Sequence, residues 1–501
     1  MTAGLLSRFE KVLYFFVYIV YIVIGLYKIY VLRDRIVSSS QSQYHFVKGW
    51  SLLQRSNNEV RLRDASNDEL ENFVDFIAVF WPFYLLHAIV SSVSRWRWPH
   101  PQRHGYIAVC SLALTLKLHW SSQLMFAALL LSYFLTAQRR SKRFTWLLSA
   151  IWLGIINVAK NNQWWLDQVG YAEYVMLIVT LSWSVLRGCS YSLSRRRQSD
   201  DIVDYLSYAM YFPCLTYGPF ISYERFKRVT AVPAQSSAQQ WKRFLVALLR
   251  VGFWWLLMQC ALHYLYIHYL ARDVRVVAMM DSVFWQHAAG YFMGQFFFLY
   301  YVVTYGLGIA FAEHDGIAAP QRPRCIGRIH FYSDMWKYFD EGLYEFLFQH
   351  IYAELCGRDA SIGAKFGATA LTFGFVFIWH GCYTYVLIWS ILNFLCLAAE
   401  KCFRAFIAMP AYQRWSLEHF GEGGAQRVYA LLATQLFIPA AFSNVYFIGG
   451  QEIGDVLMRG AYLSGVGNYV ALCFCSYCFF QCSEMLLSGT SKRRLKQSDR
   501  L

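Results

Sequence analysis

Long uncharged apolar stretches recur along the whole chain, and short segments between them carry most of the charges. A helix that crosses the roughly 30 Å hydrocarbon core of a bilayer needs about 20 mostly apolar residues. Stretches that approach this length predict ten membrane-spanning helices. They cover residues 12–32, 76–94, 144–159, 174–187, 251–271, 282–312, 366–382, 383–399, 428–451 and 461–483.

Two further apolar stretches, 106–138 and 205–223, have basic loops at both ends. A single crossing would place one of those loops on the wrong side of the membrane. The first stretch predicts a hairpin of two short helices, and the second contains Pro213, Gly218 and Pro219, which interrupt helix geometry. Both are expected to be re-entrant. Irregular backbone at membrane depth is tolerated only where protein or a cavity surrounds it, so these segments indicate a nearby site.

Composition supports the same fold class. Of 501 residues, 57% are hydrophobic and only 15% are charged, against about 25% charged in soluble domains. Apolar segments continue throughout, so residues 1–501 are expected to form a single integral-membrane domain. The fold class is all-α, a polytopic bundle of about ten transmembrane helices plus re-entrant segments. The uncharged run 12–27 lacks a small-residue cleavage site after it, which favours a first span over a cleaved signal.

The chain is basic, with 46 Lys and Arg against 31 Asp and Glu, and its basic residues gather in short runs between apolar segments. These runs lie at 139–143, 195–197 and 492–496. Such placement indicates cytoplasmic loops, whereas a nucleic-acid binder would collect its basic residues on one exposed face. Both termini are therefore expected in the cytoplasm and segment 33–75 in the lumen. The 13 Cys show no disulfide framework and no zinc spacing.

His380 is the leading candidate for chemistry. It lies in the run 366–399, which contains no Asp, Glu, Lys or Arg. An ionisable group at such depth is a functional candidate, and an imidazole can accept a proton from an attacking amine or hydroxyl at neutral pH. The alternative is a His that only hydrogen-bonds a neighbouring helix.

Asp340 precedes His380 by 40 residues. Its carboxylate could orient the imidazole or bind an incoming ammonium. It could equally pair with Lys337, three residues earlier on the same helix, and spacing alone favours that surface pair. The segment 322–351 mixes aromatic and polar residues, which predicts amphipathic helices at the membrane interface, where its Arg and Lys could receive the phosphates of CoA.

Five segments, taken together, resemble a known family. They are 211–221 (YFPCLTYGPFI), Arg324-Cys325, 335–340 (MWKYFD), Trp379-His380-Gly381 and 443–450 (SNVYFIGG). In this order, and over most of the chain, they are similar to the membrane-bound O-acyltransferases, and within that family to the hedgehog acyltransferase branch.

The resemblance implies a protein-cysteine N-palmitoyltransferase of the endoplasmic reticulum and Golgi. It would transfer palmitate from palmitoyl-CoA, entering from the cytoplasm, to the N-terminal cysteine amine of luminal hedgehog-type or EGF-like, Spitz-like ligands. His380 matches the family's invariant His, which an inactive relative lacks, so this chain is expected to be an active enzyme. Asp340 occupies a position that is Asn in many other branches, and an acidic side chain there favours a cationic amine over an alcohol.

The resemblance also implies substrate-binding roles for Trp336, Lys337, Asn444 and Trp379. Lys337 stands where the vertebrate branch has Arg, so it keeps the charge but lacks the bidentate fork. Asn444 could alternatively serve only a helix-helix contact. Cys325 matches an axial haem ligand of the branch, and haem can be held by Cys; the alternative is a free interfacial thiol.

Two other functions remain open at this stage. A lipid O-acyltransferase of the same fold would act on a sterol or glycerolipid, and Asp340 counts against it. A proton-coupled transporter with a buried His would more often show inverted repeats, which are not visible in the sequence. A catalytically silent regulator is disfavoured by the presence of His380.

Overall fold

The structure is a computed structural model that describes residues 6–38, 43–50, 62–97, 101–194, 201–228, 237–357 and 360–498. Within these ranges the chain is α-helical apart from one two-stranded antiparallel ribbon, in which β1 (Phe46–Lys48) pairs with β2 (Leu62–Asp64). The all-α prediction is therefore confirmed. The basic run at 195–197 lies outside the described residues.

The helices vary from single turns to more than 30 residues. The first ten are α1 (Arg8–Ser38), α2 (Asp68–Arg97), α3 (Pro101–Lys117), α4 (Trp120–Gln138), α5 (Lys142–Lys160), α6 (Gln163–Val169), α7 (Tyr171–Ser194), α8 (Ile202–Ala209), α9 (Tyr223–Lys227) and α10 (Ser237–Tyr264). The others are α11 (Ile267–Leu270), α12 (Val274–Ala278), α13 (Val283–His314), α14 (Tyr332–Phe339), α15 (Glu341–Leu347), α16 (Ala353–Leu355), α17 (Ile362–His380), α18 (Thr384–Ile407), α19 (Pro410–Leu463) and α20 (Val466–Ser498). The longest, α19, is not continuous, since Gly421 (φ 63°) and Gly450 (φ 78°) have non-helical backbone inside it.

Among the described residues, ten helices are long and apolar enough to cross a membrane. They include the helices that contain nine of the predicted stretches. The remaining stretch, 144–159, forms α5, which does not qualify because basic residues flank its short uncharged run. The tenth helix that could cross a membrane is α4, which was not among the predicted spans. The stretch 251–271 was extended too far, since α10 ends at Tyr264 and Tyr266 adopts a left-handed conformation with φ 49°.

Of the two irregular stretches, 205–223 has the predicted irregular form, whereas 106–138 forms the predicted hairpin from longer helices than expected. Its second helix, α4, is long and apolar enough to cross a membrane, so the re-entrant form stays a prediction. Stretch 106–138 is a hairpin of α3 and α4 joined by two residues. Stretch 205–223 contains α8, a 3₁₀ turn and Pro219, and nearly all of it is buried. The Arg187 guanidinium of α7 donates to the carbonyls of Cys214 and Leu215, the latter at 2.9 Å. Protein groups thus satisfy the irregular backbone, as burial requires.

The interior of the bundle is built from α7, the 205–223 segment and α13. Helices α7 and α13 are buried over most of their length. Gly308 of α13 packs directly on the 205–223 backbone, since a Cβ there would lie 2.5 Å from the Gly218 carbonyl oxygen. One face of α13, together with α14, α17, α18 and α19, lines an internal cavity.

Candidate active site

An internal cavity of about 250 Å³ lies among α1, α13, α14, α17, α18, α19 and α20, and its walls are mostly aromatic and aliphatic side chains. Five of the seven residues singled out from the sequence line it. They are Trp336, Asp340, Trp379, His380 and Asn444. The structure therefore brings together residues that are up to 108 positions apart, since 444 minus 336 is 108. Lys337 and Cys325 are not part of the cavity wall.

His380 is the last residue of α17. Three aromatic rings surround its imidazole, with centroid distances of 4.7 Å to Trp379, 5.6 Å to Trp389 and 5.0 Å to Phe447. Within the described ranges the structure gives the imidazole nitrogens no hydrogen-bond partner. An imidazole that faces a cavity with a free nitrogen can act as a base toward a bound substrate.

The backbone around His380 is held by side chains of neighbouring helices. From α5, Asn157 Nδ2 donates to the Ile378 carbonyl at 3.0 Å and Lys160 Nζ donates to the His380 carbonyl at 3.3 Å. From α17 itself, Trp379 Nε1 donates to the carbonyl of Ser182 in α7 at 3.0 Å. The last carbonyls of a helix have no intrahelical partner, so the bonds from Asn157 and Lys160 satisfy carbonyls of α17 that would otherwise be orphaned, and the bond from Trp379 fixes α17 to α7.

Gly381 makes this arrangement possible. Its φ of +124° is a conformation that L side chains rarely adopt, and an added Cβ would lie 2.9 Å from Lys160 Nζ. A glycine after His380 therefore both turns the chain and admits the lysine. We call the contacts of Asn157 and Lys160 with α17 the α5 clamp.

Breaking the α5 clamp is expected to lower kcat of the reaction at His380. Lys160→Met and Asn157→Leu should each reduce kcat by about 10-fold or more with little change in KM, because small displacements of a catalytic group cost up to about 10²-fold. Lys160→Arg, which keeps a donor and the charge, should recover most of the activity. Steady-state kinetics of purified variants measure this. Equal loss in the Arg and Met variants would contradict a positioning role for the hydrogen bond.

Asp340 lies at the junction between α14 and α15. Its Oδ1 accepts a hydrogen bond from the Leu343 backbone N–H at 2.9 Å, which caps α15, and its Oδ2 accepts from the Tyr305 hydroxyl at 2.7 Å. Burial raises the pKa of the carboxyl group. The carboxylate thus faces the cavity, and the surface pair with Lys337 that spacing favoured is not formed in the part of the chain that the structure describes.

Trp336 and Asn444 belong to one buried polar network. Trp336 Nε1 donates to Asn393 Oδ1 at 3.0 Å, and the Tyr332 hydroxyl donates to the same oxygen. The Tyr332 hydroxyl also lies 3.2 Å from Asn444 Oδ1. Asn444 therefore lines the cavity and also links α19 to α14, which is the helix contact considered for it, while its role in substrate binding stays a prediction. A satisfied network of this kind fixes side-chain orientations in a core.

Of the other residues singled out from the sequence, Lys337 lies outside the cavity and Trp379 lines it. Lys337 is exposed and its ammonium sits 5.1 Å from the Tyr338 ring, while the Arg324 guanidinium stacks 3.5 Å above the same ring. Both remain available to a phosphate outside the cavity. Trp379 is buried and packs on Trp183 of α7 with a centroid distance of 5.2 Å. Most of the Trp379 side chain therefore packs against other side chains of the protein, and only part of it borders the cavity.

Cys325 is half-buried, and its thiol lies 3.9 Å from Gln295 Oε1. Burial raises the pKa of the thiol, and the charge of Arg328 acts in the opposite direction. The described residues contain no cluster of three or more His, Cys, Asp or Glu that could hold a metal ion. Haem iron needs only one axial protein ligand, and the donor chemistry of a Cys sulfur fits that requirement.

Several cavity and supporting residues were not anticipated. Asn393 had a visible signal, because it is a polar residue in the uncharged run 383–399. Nothing in the sequence distinguishes Tyr305 from the rest of the 36 tyrosines. Its hydrogen bond to Asp340 becomes visible only in the folded structure. Asn157 lies near the end of the predicted stretch 144–159 and Lys160 lies just beyond it, and their contact with α17 depends on tertiary packing.

A helical membrane bundle that holds an imidazole and a carboxylate in one apolar cavity has the features of a membrane-embedded acyltransferase. The profile described as MBOAT, membrane-bound O-acyltransferase family, matches residues 129–443, and the chain belongs to this family.

Individual relatives agree with that assignment. The chain is 68% identical over 496 residues to the protein-cysteine N-palmitoyltransferase Rasp of Drosophila melanogaster, covering 98% of this chain and 97% of that protein. It is 29% identical over 353 residues to the mouse protein-cysteine N-palmitoyltransferase HHAT, covering 66% and 69%. The mouse HHAT-like protein is 23% identical over 306 residues, covering 60% of each.

Proposed function

We propose that this protein transfers palmitate from palmitoyl-CoA to the amine of an N-terminal cysteine in a protein substrate. The observation that carries the proposal is the 68% identity, over nearly the whole of both chains, to a protein-cysteine N-palmitoyltransferase. The cavity supports it independently, because it joins the free imidazole of His380 and the carboxylate of Asp340 to a large apolar volume. Acyl transfer to an amine uses each of these three features.

The chemistry assigned to the two polar residues is direct transfer. Asp340 binds the substrate ammonium in the apolar cavity, and the imidazole of His380 takes a proton from it. The neutral amine attacks the thioester carbonyl, so that a C–N bond forms and the C–S bond breaks. CoA leaves as a thiolate that accepts the first proton from the His380 imidazolium. The imidazole, neutral again, takes the second proton from the acylated nitrogen, which leaves a neutral amide, and passes that proton to solvent water. General-base assistance contributes about 10²- to 10⁴-fold, and positioning of the two substrates supplies much of the remainder.

The first experiment uses purified protein, palmitoyl-CoA and a peptide that begins with a free cysteine. The product is expected to carry palmitate in an amide bond, identified by mass spectrometry after hydroxylamine treatment that removes thioesters. An N-acetylated peptide should give no amide product, because its amine is blocked. Transfer to a sterol or glycerolipid but to no peptide would instead identify a lipid O-acyltransferase of the same family.

The finer parts of the proposal rest on the resemblance of the motifs. The protein substrates are hedgehog-type and EGF-like, Spitz-like secreted ligands, and the membrane is that of the endoplasmic reticulum and Golgi, with both termini in the cytoplasm. The whole chain acts as a single domain. Cys325 would hold haem through its sulfur. Haem supplies iron coordination chemistry when bound, and no step of acyl transfer is assigned to it.

A further inference from the structure

The cavity follows one face of α13 over much of its length. Its wall includes residues of α13 spaced three or four positions apart, which is the spacing of a single helical face. They are His287, Gly290, Gly294, Phe297, Tyr301 and Tyr305. Since 305 minus 287 is 18 and each helical residue rises about 1.5 Å, the stripe is about 27 Å long. The cavity is therefore a channel rather than a compact pocket.

The catalytic groups lie toward one part of this channel. Tyr305, near one end of the stripe, bonds Asp340. His380 contacts Phe447, whose ring lies 5.9 Å from that of Phe297. Phe297 is ten residues from His287, a distance of about 15 Å along the helix. One leaflet of a bilayer, half of a roughly 30 Å hydrocarbon core, has a similar depth, so this part of the channel is comparable in length to a membrane acyl chain.

His287 stands at the far end of the stripe, where the other lining residues are mainly apolar. Its side chain is 3% exposed, and its ring packs 4.9 Å from that of Phe442. Nε2 lies 3.3 Å from the Leu457 carbonyl oxygen, and Nδ1 has no hydrogen-bond partner in the part of the chain that is described. A buried polar atom without a partner is rare and calls for a reason beyond packing.

We propose that the His287 imidazole forms the end wall of the acyl channel and sets the length of the acyl chain that this enzyme transfers. The inference rests on the proposed acyl-CoA substrate. With the thioester at His380, the terminal methyl group of the chain reaches the imidazole. Helix α19 backs this imidazole, since Nε2 lies 3.3 Å from the Leu457 carbonyl oxygen and a Cβ on Gly460 would lie 3.4 Å from Nε2. One methylene in an apolar pocket changes selectivity by about 10- to 200-fold, so a fixed wall is sufficient to select palmitate over longer chains.

The local packing favours soluble, folded variants at this position. His287 makes one hydrogen bond, at 3.3 Å, which is long for a strong contact. Replacing it with an apolar side chain also removes the unpartnered Nδ1. His287→Ala shortens the wall by one ring, whereas His287→Phe keeps a ring of larger size. Gly294→Ala is the matched control, because its Cβ would narrow the middle of the channel, 3.0 Å from Ile326, without moving the end.

The test is a competition assay in which purified enzyme receives equal amounts of myristoyl-, palmitoyl- and stearoyl-CoA with an N-terminal cysteine peptide. Mass spectrometry gives the product ratios, which do not depend on the amount of active enzyme. The wild type should favour palmitate. His287→Ala should raise the ratio of stearoyl to palmitoyl product by about 10-fold or more, and His287→Phe should shift the products toward myristate.

Each outcome decides the inference. Unchanged ratios in active His287 variants would overturn it, as would the same shift in Gly294→Ala. If His287→Ala does not fold, the direction of the shift in His287→Phe decides. A wild type that acylates no peptide with any of the three donors would instead contradict the proposed function, so the two failures are distinguishable.

Discussion

His380→Ala is expected to reduce kcat of palmitoyl transfer by about 10²- to 10⁴-fold while leaving the KM for palmitoyl-CoA within a few-fold of the wild type. The imidazole is the candidate base that faces the cavity with a free nitrogen, and general-base catalysis contributes a factor of this size. The apolar channel that holds the acyl chain is formed mainly by other helices, so binding should persist. Single-turnover kinetics with the N-terminal cysteine peptide measure the chemical step directly.

The matched control for His380→Ala is His104→Ala, since His104 is an exposed histidine of α3. Its activity should equal that of the wild type. Because His380 packs against three aromatic rings, the alanine variant also needs a stability measurement, and His380→Asn provides a smaller change in volume. If both His380 variants bind palmitoyl-CoA and transfer at the wild-type rate, the base assignment is wrong.

The fold was predictable from the sequence because the bilayer imposes a simple length requirement on apolar helices. Most predicted stretches lie inside helices that could span, and the Pro- and Gly-containing stretch 205–223 is irregular and buried as expected. The boundaries were less predictable. Helix α10 stops at Tyr264 within an apolar run, and the break at Tyr266 is a backbone feature that hydropathy does not record.

From the sequence, only those site residues could be predicted that stand out individually, by their position in an apolar run or in a motif. His380 is the only histidine in the run 366–399, which has no Asp, Glu, Lys or Arg, and Asp340 belongs to a recognisable motif. The structure adds the side chains that contact them. Tyr305 orients Asp340, and Lys160 holds the His380 backbone. These contacts join helices that are far apart in the chain, so neither periodicity nor spacing could predict them.

Asp340→Asn is expected to reduce kcat/KM for the peptide by about 30-fold to several thousand-fold. The loss of a buried partner for a charged group costs about 2–5 kcal/mol, and the carboxylate is the candidate partner for the substrate ammonium. The substitution is nearly isosteric. The amide oxygen can still accept from the Leu343 N–H and cap α15, so the fold should be retained. Kinetics at varied peptide concentration, with palmitoyl-CoA saturating, measure the effect.

Tyr305→Phe separates the charge of Asp340 from its orientation. This variant keeps the carboxylate and removes only the 2.7 Å hydrogen bond from the tyrosine hydroxyl. Its kcat/KM should fall by roughly 10-fold, in line with the 1–3 kcal/mol typical of a buried hydrogen bond, and so by less than that of Asp340→Asn. If Asp340→Asn retained full activity toward the peptide amine, the charge would be unnecessary, and Asp340 would be only the cap of α15. If instead Tyr305→Phe matched the loss in Asp340→Asn, orientation rather than charge would explain the role of the carboxylate.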